Sequence, residues 1–250
     1  MPTDQTLPVL RPKQHFFLIC ENPDHLCYLR ALVMKKRECL YYFQITLHSN
    51  HKLMNSSLYF PTPFGVKINM QTGELDTPDN VYERHLSQMV AMYEDQDAAR
   101  KLLPTDPVIY KVYEKQLPHL PGELQWCMSV TLPGKIGREY YMTKGHFHAV
   151  RETAEIYLCV AGEGYMLMET EDGQVDAQRM TPNTCVYVPA YWAHRSVNTG
   201  TTPLISFCVY PGHAGHDYGS IETAGFKNRI VEMDGKPAMI DAASGRVTGC

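Results

Sequence analysis

Residues 108–114, Val-Ile-Tyr-Lys-Val-Tyr-Glu, alternate as a pleated strand does, since successive side chains of a strand point to opposite faces. Further short apolar runs lie at 124–132, 155–160, 165–169, 185–188, 204–210 and 226–233, with Gly or Pro punctuating the stretches between them. Strands at such short intervals favour a closed antiparallel barrel or sandwich over a parallel α/β sheet. Pro133-Gly134 and Asp234-Gly235 have the chemistry of tight turns, and Gly162-Glu163-Gly164 reads as the turn of a hairpin joining 155–160 to 165–169. Residues 69–75 read as strand and turn. From 79 to 103 an acidic start, a Gly-free run and the closing Lys101 predict an amphipathic helix, with Leu86, Met89, Val90 and Tyr93 as its apolar stripe.

Upstream, 15–20 predicts a strand and 21–24 a turn. Leu26, Leu29, Leu32 and Val33 recur at helical spacing within 25–42, while 40–47 offers an alternative strand entering the core. Pro61 and Pro63 restrict the chain around them and mark a boundary. The expected organisation is an N-terminal extension, 1–59, that covers the barrel or makes a subunit contact, followed by a barrel domain, 60–250.

The 250 residues, 44% of them hydrophobic, suffice for a sizeable core, and a net charge of −4 argues against nucleic acid as the main partner. No stretch approaches eighteen consecutive apolar residues, so no membrane span is expected. The amino terminus lacks a basic start, an apolar run and a small-residue cleavage site, which makes the cytoplasm the expected location. Eight cysteines without a Cys-x-x-Cys pair are expected to be mostly reduced core residues.

The chemistry concentrates between 140 and 198. His146 and His148 project to one face if their segment is extended, and can grip one ion together. Glu155 follows the polar break Arg151-Glu152-Thr153, and His194 follows the Pro-bounded strand 185–188, so both can be carried back to the pair. Three imidazoles and a carboxylate suit a first-row divalent ion and leave coordination positions open.

The pattern His146-x-His148, Glu155, Gly162, then Pro189, His194 and Asn198 resembles the two signature motifs of the cupin superfamily, small β-barrels with a metal at the centre. Generic cupins have Gly six residues ahead of the first His, a shorter gap before Glu and Pro-x-Gly in the second motif; Tyr140, a six-residue gap and Pro189-Ala190-Tyr191 stand there instead. A narrower match accounts for these departures. Residues 143–148 (Thr-Lys-Gly-His-Phe-His), 188–195 (Val-Pro-Ala-Tyr-Trp-Ala-His-Arg) and 210–219 (Tyr-Pro-Gly-His-Ala-Gly-His-Asp-Tyr-Gly) resemble the cupin-type, archaeal-type glucose-6-phosphate isomerases. So do 63–67, 106–110 and 132–137, and the likeness spans roughly 61–241.

The resemblance implies a mainly β, jelly-roll-like antiparallel barrel with flanking helices and one divalent metal per subunit. It names iron first, with zinc, manganese or nickel also accepted by such ligands. It also implies a homodimer and a glycolytic and gluconeogenic isomerase that interconverts glucose 6-phosphate and fructose 6-phosphate. His146, His148, Glu155 and His194 carry over as metal ligands. Tyr110, Ser129, Thr143, Gly145 and Tyr218 carry over as donors to the phosphate, Ser129 standing where the family usually has Thr. Tyr157, Tyr191, Tyr210 and His216 carry over as the lining of the sugar site, with Glu155, Tyr210 and His216 as catalytic groups and His216 assisting ring opening. Lys144 faces opposite to Thr143 and Gly145 in a strand and is left out. Proton transfer through a cis-enediol and a hydride shift at the metal centre both remain open, as do two other functions, an iron cupin dioxygenase and a non-catalytic sugar-phosphate-binding cupin.

Overall fold

Pleated alternation does build antiparallel sheets along this chain. The computed structural model describes residues 62–250 together with the backbone of three strands, His15–Asn22, Leu26–Leu32 and Tyr42–His48. By its contacts the chain divides into two units, Met1–Phe60 and Pro61–Cys250. In the first unit the three strands pair antiparallel in chain order. The helix expected over 25–42 is therefore not formed where the chain is described. Leu26–Leu32 is a central strand, because backbone pairing on both sides outweighs a three-residue leucine spacing too short to specify a helix. The remainder of that expectation, 25 and 33–41, lies outside the described residues, as do 23 and 24 of the predicted turn, while 21 and 22 extend the first strand.

In the second unit a six-stranded antiparallel sheet runs Cys185–Val188, Glu155–Ala161, Leu204–Pro211, Leu124–Thr131, Val108–Glu114 and Asn80–His85. A three-stranded sheet, Val175–Met180, Gly164–Thr170 and Trp192–Asn198, lies across one core from it, a core made of Met166, Met168, Met180, Val186, Val188 and Leu204. A second core gathers Leu86, Ile109, Ile136, Leu167, Val197 and Ile230. This is the mainly β, antiparallel architecture that the sequence predicts. Among the described residues no helix is long and apolar enough to cross a membrane.

Three local expectations are corrected. Glu155–Ala161 and Gly164–Thr170 do not form a hairpin: the first pairs with Cys185–Val188 and Leu204–Pro211, the second with the three-stranded sheet. The turn instead hands the chain from one sheet to the other. Gly162 has φ +77° there, and a Cβ on it would stand 2.3 Å from the Pro203 carbonyl oxygen, so only glycine fits the crossing.

The helix predicted over 79–103 breaks into an edge strand, Asn80–His85, two 3₁₀ turns, Leu86–Gln88 and Val90–Met92, and a short helix, Gln96–Leu102, capped by the Asp95 carboxylate on Ala98 N at 2.8 Å. Tertiary hydrogen bonds win over propensity: Leu86 N donates to Pro107 O, and the Asp106 carboxylate accepts from Ser87 N at 2.7 Å. The apolar stripe is nonetheless genuine packing, with Leu86, Met89 and Tyr93 all buried. Asp234-Gly235 has positive φ at both positions and closes Asn228–Met233 onto Lys236–Asp241, as predicted. Cys127, Cys159, Cys185, Cys208 and Cys250 are unbridged, but Cys185 and Cys250 are exposed rather than core.

Candidate metal centre and its cavity

His146 and His194 exchange both backbone hydrogen bonds, His146 N to His194 O at 3.2 Å and His194 N to His146 O at 3.1 Å, which sets their side chains on one face. His148 follows on the same side, its ring 5.8 Å from that of His146. Glu155 opens its strand and is 3% exposed. The ligand atoms of His146, His148, Glu155 and His194 all lie within 4.8 Å of one another.

Glu155 Oε2 sits 3.1 Å from His148 Nε2 and 3.0 Å from His194 Nε2. His148 Nδ1 lies 2.8 Å from Thr153 Oγ1, which aims Nε2 at the centre in the way that outer partners orient metal-binding imidazoles. His146 Nε2 is buried among these groups without a hydrogen-bond partner. Such an orphan is costly unless something meets it.

Burial works to raise the pKa of Glu155, but the hydrogen bonds from His148 and His194 outweigh it and hold it down at about 2. Burial, reinforced by the imidazoles of His194, His216 and His148, pushes His146 well below its ordinary value, so its ring is neutral at pH 7. An ionised carboxylate and a neutral imidazole are what a divalent cation requires of its ligands. Three nitrogens, one of them with an unmet lone pair, and one carboxylate fit such an ion.

Above this cluster opens a cavity of about 480 Å³, within the range of small-molecule sites. His146, Glu155 and His194 stand in its wall together with Tyr110, Ser129, Thr143, Gly145, Tyr157, Tyr210, His216 and Tyr218. His148 reaches the centre from beneath the wall, and His216 is its strand partner. The His216 ring packs 4.4 Å from His146, 5.3 Å from Tyr210 and 5.6 Å from Tyr218. Gly145 has φ +77°, and a Cβ there would stand 2.7 Å from the Phe226 ring, so glycine lets the loop pass close beneath the site.

Tyr191 does not join them. It is 56% exposed, with φ +69° and its N–H donated to Arg151 O at 2.7 Å. The Pro-Ala-Tyr turn points it outward, so it is dropped from the sugar site. Lys144 pairs with Glu222 and lies 5.5 Å above the Tyr218 ring. Arg195, 3% exposed, donates from Nη2 to Lys144 O at 2.8 Å and stacks 3.8 Å over Phe226, which ties down 143–146.

Sequence reasoning missed Arg84, whose side chain enters the same cavity. A helix assigned over 79–103 gave it no reason to face a site. Its pleat partner Tyr110, already a candidate, was the available signal, since paired residues share a face.

The family model described as glucose-6-phosphate isomerase (GPI) matches residues 83–241. A glucose-6-phosphate isomerase of Thermococcus gammatolerans is 43% identical over 182 residues, 73% of this chain and 96% of that one. One of Pyrococcus furiosus is 41% identical over 183 residues, again 73% and 96%. A putative glucose-6-phosphate isomerase 1 of Rhizobium meliloti is 35% identical over 177 residues, 70% of this chain and 82% of that one.

Proposed function

We propose, from the premise that the chain belongs to the glucose-6-phosphate isomerase family, that His146, His148, Glu155 and His194 hold one divalent ion at the reaction centre. The enzyme is an aldose-ketose isomerase that interconverts glucose 6-phosphate and fructose 6-phosphate in glycolysis. The observation that carries the metal reading is the partnerless, buried His146 Nε2 beside the Glu155 carboxylate. When bound, the ion supplies Lewis acidity for the sugar oxygens.

The chain's own residues do the rest. A base in the cavity, Glu155 or His216, takes the proton from C2 of the aldose as O1 gains one. The same group then returns its proton to C1 while O2 gives one up, the cis-enediol lying between. Tyr210, packed on His216, and Tyr157, facing the Glu155 carboxylate, hold the sugar between them. Turnover in heavy water should leave deuterium at C1 of fructose 6-phosphate; protium retained there would replace this route with a hydride shift.

The phosphate end is assigned to Tyr110, Ser129, Thr143, Gly145 and Tyr218. The Thr143 oxygen accepts from Ser196 N at 3.0 Å, so its hydroxyl proton is available to donate. Ser129→Ala should raise the Michaelis constant for fructose 6-phosphate about threefold to tenfold, one neutral hydrogen bond, with turnover largely kept. A selective loss of kcat would place Ser129 in the chemistry instead.

Iron as the ion and a homodimer belong to the same proposal and rest on the family resemblance, while a cytoplasmic location rests on the amino-terminal sequence and a division at residue 60 into extension and isomerase domain on Pro61 and Pro63. The test is a coupled assay of fructose 6-phosphate conversion, before chelation, after it, and after adding back Fe²⁺, Zn²⁺, Mn²⁺ or Ni²⁺. Conversion indifferent to chelation would sink the metal reading. An absence of conversion in metal-loaded protein would favour the dioxygenase or binding alternatives.

A further inference from the structure

Every group assigned above to the phosphate end is uncharged, yet a phosphate ester carries close to two negative charges at neutral pH. We propose that Arg84 is the cation that receives this phosphate and selects phosphorylated over neutral sugars. The sugar part of this assignment rests on the isomerase reading; the anion part does not.

Arg84 lies on the edge strand Asn80–His85, directly opposite Tyr110, and the register slips just after it, between Arg84 and His85. Directly paired side chains share a face with Cβ atoms about 5 Å apart. The guanidinium accordingly enters the cavity beside Tyr110, Ser129, Thr143, Gly145 and Tyr218. Its charge is felt by both phenols: burial raises the pKa of Tyr110 and Tyr218, and Arg84 pulls against that rise in each.

The other cations nearby are engaged. Lys115 Nζ, at the far end of the cavity, is 2.6 Å from Asp79, and Lys144 is paired with Glu222. Among the described residues Arg84 forms no ion pair. Four residues further along the same strand pair, Asn80 and Glu114 stand opposite each other and line the other end. At about 3.4 Å per residue, Glu114 is some ~13 Å along the sheet from Arg84. The cavity is thus cationic at one end and anionic at the other, and a sugar phosphate fits it in one sense only. A planar guanidinium can also donate two parallel hydrogen bonds to phosphate oxygens, which an ammonium cannot.

The test uses metal-loaded wild-type, Arg84→Gln and Arg84→Lys proteins. Each is titrated with inorganic phosphate by calorimetry and assayed for its Michaelis constant with fructose 6-phosphate. Arg84→Gln should weaken phosphate binding and raise KM together, by about tenfold to a hundredfold, the loss expected for charge-assisted hydrogen bonds. Arg84→Lys should lose less, since it keeps the charge without the fork. Arg84 is half-buried, so melting curves close to wild type are expected; if the glutamine variant does not fold, the lysine variant decides, and its unchanged affinity and KM would overturn the assignment. Phosphate affinity in Arg84→Gln equal to wild type overturns it as well. Wild-type protein that binds phosphate through Arg84 but does not isomerise removes the isomerase reading and leaves this one, whereas isomerisation with a KM indifferent to Arg84 does the reverse.

Discussion

Alanine at His148 is expected to abolish metal retention and to cut isomerase turnover by about a thousandfold or more, while the barrel still folds. His148 Nε2 is one of two imidazole contacts on Glu155 Oε2, and Thr153 fixes its other ring nitrogen. Removing it takes away a ligand and leaves the buried carboxylate with half its partners. A Lewis-acidic ion is worth several kcal/mol to the reaction, and each ~1.4 kcal/mol is a factor of ten in rate, hence the magnitude. The fold should survive because its cores, around Met166 and around Leu86, are apolar and lie outside the metal cluster. Elemental analysis, circular dichroism and the coupled assay on one preparation check all three statements. Full turnover in the metal-free variant would show that the ligand assignment is wrong.

Arg195→Met should destabilise the protein by roughly 1.5–3 kcal/mol, the usual cost of losing a buried hydrogen bond from a charged donor, here the one to Lys144 O. The guanidinium is wholly enclosed, and burial lowers its pKa to about 10, with Glu139 pulling the other way. It lies over Phe226 and holds the Lys144 carbonyl. Glu139 would keep Arg229, 2.8 Å away, but Glu169 would keep chiefly the N–H of Lys227, at 3.0 and 3.1 Å. Methionine matches the length and restores none of the charge. Because Arg195 ties down 143–146, the Michaelis constant should rise along with the loss of stability. A shift of less than ~1 kcal/mol in urea unfolding would mean that the network is held elsewhere.

The sheets and the His/Glu cluster were legible for related reasons. Alternation along 108–114 and 204–210 reports which side chains face inward, and His146-x-His148 is itself a statement of the pleat. What sequence could not reveal is which strands pair. Gly162 announces a turn, yet only the approach of the Pro203 carbonyl shows that the turn joins two sheets and not two strands of one. The apolar spacing of Leu86, Met89 and Tyr93 was read correctly as packing and wrongly as a helix, because Asp106 and Pro107, distant in sequence, supply the hydrogen bonds that break it. That error hid Arg84. Tyr191 failed differently: a positive φ after Pro189-Ala190 reverses where its ring points, and the motif alone does not carry that dihedral.

The four residues of the cluster also come from more than one layer, His146 being bridged to His194. Glu155 belongs to the six-stranded sheet, His194 to the three-stranded one, and His148 to the short pair with His216. Side chains of oily character are otherwise what keep those layers together, and the chain crosses between them at Gly162. A cation gripped by all four is thus a rivet through the sandwich as well as a reagent, and endurance against heat should rise and fall with how fully the population is loaded.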